Sequence, residues 1–305
     1  MKISKLTSLV FVLGAILYSS KVDAQNMRNI LESGRESRLL LVQVNPQDPK
    51  FYIKRGEARL ESGDVKGALE DFNQALRLNP NDAEVYLKRG ATRILWGDMK
   101  GAMKDYNESL RLNPNNALTY NIRGLARILL GDMEGAIEDY TQALRLHPND
   151  ANAYYNRGVA YTQLGDMKGA IEDYTQALSF NPNYVEAYYN RGLARKISGD
   201  LKEAIEDFNK ALRLNPNLPQ AYGNRGNALG ESGDIKGAIE DYRQVLRINP
   251  NDALAYYNRG NALFQSGDIK GAITDLQKAS ELFQQQGKIA EYQSTLNLLR
   301  EINNK

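Results

Sequence analysis

Proline recurs in this chain with a period of 34 residues. Pro46, Pro80, Pro114, Pro148, Pro182, Pro216 and Pro250 form the series, and only Pro49 and Pro219 fall outside it. A period of this length marks one supersecondary unit repeated in tandem. Such a unit cannot bury its apolar face alone, so only stacking on its neighbours gives a continuous core. On this ruler the chain holds seven units: 49–82, 83–116, 117–150, 151–184, 185–218, 219–252 and 253–286.

Stacking the units exposes rows of like residues. A tyrosine row runs Tyr52, Tyr86, Tyr120, Tyr154, Tyr188, Tyr222, Tyr256, and four residues later a glycine row runs Gly56, Gly90, Gly124, Gly158, Gly192, Gly226, Gly260. An alanine row (Ala68 to Ala272) and a row of Phe72, Tyr106, Tyr140, Tyr174, Phe208, Tyr242 and Leu276 complete the pattern. Between the two halves of each unit stands a Gly-Asp pair, from Gly63-Asp64 to Gly267-Asp268. Glycine ends a first helix by adopting a left-handed conformation cheaply. Aspartate then caps a second helix by accepting from its free N–H groups. The second helix is expected to stop at Asn-Pro, with asparagine in a left-handed cap and proline unable to continue. The small rows place two helices in close crossing, and the aromatic rows fill the space between successive helices.

This spacing and these residue types resemble the tetratricopeptide repeat (TPR) family over residues 49–286, and the YYNRG and GDxxGAIEDY phrasing is most like cyanobacterial exported TPR proteins. The resemblance implies an all-α fold: a right-handed TPR superhelix (α-solenoid) of seven helical hairpins with N- and C-terminal capping helices, whose first helices line the concave wall. Residues 25–48 are expected to supply the N-terminal capping helix, carried by the apolar positions of 27–44. Residues 287–305 are expected to supply the C-terminal one, with Ile289, Tyr292, Leu296 and Leu299 at helical spacing.

Residues 1–24 read as a secretory signal peptide. Lys2 and Lys5 form a basic start, Leu6 to Tyr18 an apolar core, and Val22-Asp23-Ala24 a cleavage site. The core is shorter than the roughly 20 residues of a spanning helix. The mature chain is then expected to begin at Gln25 in an extracytoplasmic compartment such as the periplasm, with no stable membrane insertion. The whole sequence has 39 basic and 37 acidic residues; the leader takes three basic and one acidic, so the mature chain is neutral. A neutral chain lacks the positive field of a nucleic-acid binder.

Catalytic chemistry has little to stand on. There is no cysteine and a single histidine, His147, so no thiolate and no paired-histidine site is possible. One aspartate per unit is a helix cap rather than a calcium cluster. No phosphate-binding glycine loop is present. The reading is that the chain is not an enzyme and takes no cofactor or metal.

Binding residues are sought on the first helices. Two places after the tyrosine row stand Lys54, Lys88, Ile122, Asn156, Asn190, Asn224 and Asn258. An amide both donates and accepts, so the four asparagines can pair with a peptide backbone. Helices about 8–10 Å apart and strands rising about 3.3 Å per residue let each asparagine meet roughly every third residue of an extended segment. The other reading is that these amides are simply solvated. Tyr155, Tyr189 and Tyr257 follow the tyrosine row directly and are either ligand anchors or structural. Leu87, Ala91, Ile94 and Leu95 in the second unit, and Leu118, Leu125, Ile128 and Leu129 in the third, are expected as an apolar groove wall. Alternatively they are half-buried between first helices, or covered by 27–44. The chaperone-binding branch of the family clamps a carboxylate with lysine and asparagine. That clamp cannot be assembled, because Glu57 and Ala91 occupy the asparagine places.

A complete arginine row, Arg55 to Arg259, and a complete aspartate row, Asp71 to Asp275, are expected to pair as a structural ladder, since an unpaired charge beside the core is costly. The functional expectation is a protein–protein interaction scaffold that binds an extended peptide or protein segment in the groove. The alternative is a self-associating or convex-face scaffold for envelope or photosynthetic complexes.

Overall fold

The computed structural model describes residues 47–304; the expected leader 1–24 and the expected leading helix within 25–48 lie almost wholly outside this range. Fifteen helices follow one another, with no strand among the described residues. The chain divides into two compact units, Met1–Pro148 and Asn149–Lys305.

The first unit contains three hairpins: α1 Pro49–Glu61 with α2 Val65–Leu78, α3 Ala83–Trp96 with α4 Met99–Leu112, and α5 Ala117–Leu130 with α6 Met133–Leu146. The second contains four: α7 Ala151–Leu164 with α8 Met167–Phe180, α9 Val185–Ile197 with α10 Leu201–Leu214, α11 Pro219–Glu231 with α12 Ile235–Ile248, and α13 Ala253–Ser266 with α14 Ile269–Gln285. A last helix, α15 Ile289–Asn303, follows.

The turn within each hairpin forms for the reason its residues suggest. All seven turn glycines, from Gly63 (φ 82°) to Gly267 (φ 89°), are left-handed. The aspartate that follows accepts from the backbone N–H three residues on, as in Asp64 with Gly67 (2.8 Å) and Asp234 with Gly237 (2.9 Å). Each such cap contributes about 1 kcal/mol. Asp200 alone makes no capping bond. Its third residue is Glu203 where the other six units have glycine, and at those glycines a Cβ would run into the capping carboxylate.

The helix ends at Asn-Pro differ from expectation. Asn79, Asn113, Asn181, Asn215 and Asn249 have φ between −128° and −136°, extended rather than left-handed. A residue before proline is pushed to this region by the proline ring. Each asparagine instead accepts from the N–H two residues on, at 3.0 Å for Asn215 and 3.2 Å for Asn181, closing a side-chain turn.

The core of each hairpin is the crossing of a glycine with a large side chain, a ring in the first six and Leu276 in the last. A Cβ at Gly90 would lie 2.6 Å from Tyr106, at Gly158 2.8 Å from Tyr174, and at Gly192 2.9 Å from Phe208. Only hydrogen fits between helices this close. Ala68, Ala102, Ala136, Ala170, Ala204 and Ala272 are fully buried beside them. The final helix covers the last hairpin, with Leu298, Leu299 and buried Ile302 against Leu276, while Ile289 is exposed.

Candidate functional site

The charge ladder is complete, and each rung closes within its own hairpin. Arg55–Asp71, Arg89–Asp105, Arg123–Asp139, Arg157–Asp173, Arg191–Asp207, Arg225–Asp241 and Arg259–Asp275 pair at 2.5–2.7 Å. The contacts are two-pronged: in Arg225, Nε and Nη2 donate to the two carboxylate oxygens of Asp241. Each guanidinium also lies over the ring of the tyrosine three residues before it, at 5.3–5.7 Å. In four hairpins it reaches back to the preceding one, donating to Asn73, Asn107, Thr175 and Asn209. A second arginine supports the aspartate in four hairpins, as Arg195 does for Asp207 at 2.7 Å. Burial pushes the Asp173 and Asp241 carboxyls up, with the arginine pulling the other way. These arginines are occupied by structure.

The asparagine row belongs to first helices α7, α9, α11 and α13 of the second unit. Asn190 Nδ2 donates to Tyr155 Oη (3.0 Å), and Asn224 Nδ2 donates to Tyr189 Oη (3.1 Å) and to the Gln220 carbonyl (2.9 Å). Asn258 Nδ2 reaches Asn227 Oδ1 at 3.4 Å. All four asparagines are half-buried rather than freely solvated. The expected anchors Tyr155 and Tyr189 are therefore also brackets that fix the amide of the next hairpin. Tyr155 lies 5.8 Å from the Tyr174 ring and 4.8 Å from Tyr184, and Tyr189 lies 6.0 Å from Phe208. Burial pushes the Tyr155 phenol up to about 12, Glu186 adding to the effect and the Asn190 hydrogen bond opposing it. Tyr257 is half-buried against the Phe283 and Leu276 clusters. The pairing joins residues 35 apart, one repeat plus one, so the register held the signal that sequence reasoning missed.

The apolar wall is corrected in part. Leu125 (8% exposed) and Ile128 (5%) are buried, and Leu87, Ala91, Ile94, Ile122 and Leu125 pack with Met99, Met103 and Leu129 into one core cluster of the first unit, while Leu95 and Leu118 stay exposed. The half-buried reading wins because apolar side chains on adjacent first helices, here α3 and α5, satisfy one another before they meet solvent. In the same unit Lys88 is held by Glu57 (2.5 Å) and Glu84 (2.7 Å), so it is not offered to a carboxylate ligand.

Among the described residues no cluster of acidic or histidine side chains could hold a metal ion, and no helix is long and apolar enough to cross a membrane. What the arrangement offers is half-buried amides on successive first helices, those of Asn190, Asn224 and Asn258 hydrogen-bonded to the preceding hairpin.

Family models described as "TPR repeat" match residues 56–93, 124–165 and 226–267. Others described as "Tetratricopeptide repeat" match 83–116, 151–184, 185–218 and 253–285. No curated protein matches the chain. Among solved structures, MamA is 30% identical over 55% of this chain and 92% of its own, with a TM-score of 0.53. A tetratricopeptide repeat protein from Parabacteroides merdae is 23% identical over 81% of this chain and 98% of its own, with a TM-score of 0.60. YrrB, described as a TPR protein with an unusual peptide-binding site, is 23% identical over 60% and 95%, with a TM-score of 0.55. The repeat matches cover most of the chain from residue 56 to residue 285, and the chain belongs to the tetratricopeptide repeat family.

Proposed function

We propose that this chain is a protein-binding scaffold, and that the unit Asn149–Lys305 holds an extended segment of a partner through the amides of Asn156, Asn190, Asn224 and Asn258. The observation that carries the reading is the bracket from tyrosine to asparagine. Each bracketed amide spends donor capacity on the preceding hairpin and keeps its Oδ1 as an acceptor for a peptide N–H. A side chain already held in one rotamer loses less entropy when it binds, so the amide is preorganised. Contacts of this kind recognise main chain, so binding tolerates changes of sequence. Tyr155, Tyr189 and Tyr257 supply ring edges beside that line. Leu125, Ile128 and Leu129 support the fold of the first unit and are not assigned to the ligand.

The test is a titration of fluorescently labelled, unstructured nonapeptides of varied sequence, followed by anisotropy. Saturable binding by many of them is expected, and binding by none overturns the proposal. A second reading, self-association, draws on the exposed Trp96 (57%) and Leu130 (54%) at the ends of α3 and α5. Light scattering over a concentration series decides it, since a constant mass removes this reading. We place the scaffold outside the cytosol on the strength of the leader at 1–24, as in the exported cyanobacterial TPR proteins it resembles. N-terminal sequencing of the native protein should give Gln25, and Met1 on a cytosolic chain would contradict this.

A further inference from the structure

Helix α11 carries glycine at 223, 226 and 230, and only the middle one is demanded by packing. A Cβ at Gly226 would lie 2.9 Å from the Tyr242 ring, as the other members of the glycine row face a ring or, at Gly260, the Leu276 side chain. A Cβ at Gly223 would meet nothing nearer than Val245 at 3.9 Å, and one at Gly230 nothing nearer than Ala238 at 3.8 Å, both ordinary contacts. Glycine is among the poorest residues for a helix interior. Two of them where alanine fits therefore lower the stability of α11 without serving its close crossing.

The register says what is missing. Position 223 is the place held by Tyr155 and Tyr189 in the two preceding hairpins and by Tyr257 in the next. Tyr155 and Tyr189 each rest a ring on the aromatic of the second helix and accept from an asparagine 35 residues on. At Gly223 the ring is absent while its surroundings remain. Tyr242 supplies the aromatic floor, and Asn258, 35 residues on, supplies the amide, which reaches only a long 3.4 Å contact to Asn227. A cavity of about 290 Å³ opens there, lined by Gly223, Asn227, Tyr242, Val245, Ala255 and Asn258. A second, of about 320 Å³, opens beside Gly230 and shares Asn227, Tyr242 and Asn258. A protein cavity of about 150 Å³ accepts benzene, so the half-open space at Gly223 has the volume for a substituted ring.

We propose that the Gly223 cavity binds a 4-hydroxyphenyl group, the side chain of a tyrosine in a bound segment. The ring lies against Tyr242 and Val245, and its oxygen accepts from Asn258 Nδ2 as Tyr155 accepts from Asn190 and Tyr189 from Asn224. The chain thus asks of its ligand the side chain that its own repeats supply at the same place. The inference rests on the groove reading only for the delivery of the ring by a peptide; the pocket itself is tested without one.

The probe is p-cresol, with toluene as its counterpart lacking the hydroxyl, each titrated into the full chain and followed by isothermal titration calorimetry. Saturable p-cresol binding is expected, about 2- to 10-fold tighter than toluene for one added hydrogen bond. Gly223→Tyr supplies the ring from the chain itself and should abolish binding of both probes. Asn258→Ala leaves the cavity floor intact and should erase the preference for p-cresol. Absent p-cresol binding, binding that persists in a folded Gly223→Tyr chain, or a preference that survives Asn258→Ala each overturns the proposal. If tyrosine-free nonapeptides bind while p-cresol does not, the pocket fails and the groove reading stands. If p-cresol binds and no peptide does, the groove reading fails alone.

Discussion

Replacing Gly158 with alanine puts one carbon where the structure has no room for it. The new Cβ would lie 2.8 Å from Tyr174 Cε1, 3.0 Å from Cδ1 and 3.2 Å from Cζ. The ring cannot retreat easily. It is fully buried, its hydroxyl lies 3.0 Å from Thr162 Oγ1, and its other side meets Tyr155. Overpacking of this kind costs about 1–3 kcal/mol, while exchanging glycine for alanine in a helix returns about 1 kcal/mol. Gly223→Ala provides the reference within the same compact unit, since its Cβ clears every neighbour by 3.9 Å and only the helix-propensity gain remains. The difference between the two substitutions is then the packing cost alone, about 1–3 kcal/mol. Urea unfolding followed by circular dichroism at 222 nm reads it, as a lower midpoint for Gly158→Ala and a raised one for Gly223→Ala. Contacts in such arrays are nearest-neighbour, so the loss should concentrate in α7 to α10. Equal midpoints for the two variants would refute the close glycine–ring crossing as the element that sets the hairpin.

Three further outcomes follow from the buried polar groups. Arg225→Ala leaves Asp241 buried without its arginine and should cost about 3–5 kcal/mol. Arg191→Ala should cost less, because Arg195 still holds Asp207; a thermal unfolding series of the two variants checks the order. Tyr140 carries a buried hydroxyl with no hydrogen-bond partner among the described residues, so Tyr140→Phe should raise stability by about 1–3 kcal/mol, while Tyr174→Phe should lower it by about 0.5–1.5 kcal/mol; denaturant midpoints give the signs. The Tyr155 phenol is raised in the folded state to about 12. Its contribution is therefore complete below the ordinary phenol value near 10 and is lost as pH rises through about 12. Unfolding free energy measured between these values should fall less steeply in Tyr155→Phe.

Much of the fold was legible because the 34-residue register aligns places with the same backbone duty. Left-handed Gly63 and its six counterparts, the aspartate caps and the seven Arg–Asp rungs all follow from residue type and position alone. Properties that depend on a neighbour were less legible. Leu125 and Ile128 look groove-facing on a single helix, yet they are buried once α3 and α5 lie side by side. Asn79 tolerates a left-handed conformation as a residue, but the following proline forces it extended. Asn190 was readable as an amide on a first helix; that it is bracketed by Tyr155 requires two hairpins to be seen at once. Gly223 was invisible to a search for functional side chains, because what marks it is a ring that its register leads one to expect and that it lacks.

On the proposed function, the asparagine row of the second unit binds main chain. This is tested most directly by replacing Asn156, Asn190, Asn224 and Asn258 together with alanine and measuring affinity for an unstructured nonapeptide that binds the unaltered chain. Each lost hydrogen bond is worth about 0.5–1.5 kcal/mol, so the account predicts a loss approaching or exceeding a hundredfold, with the helical circular dichroism retained. A folded quadruple variant that binds the same peptide at equal strength would contradict it.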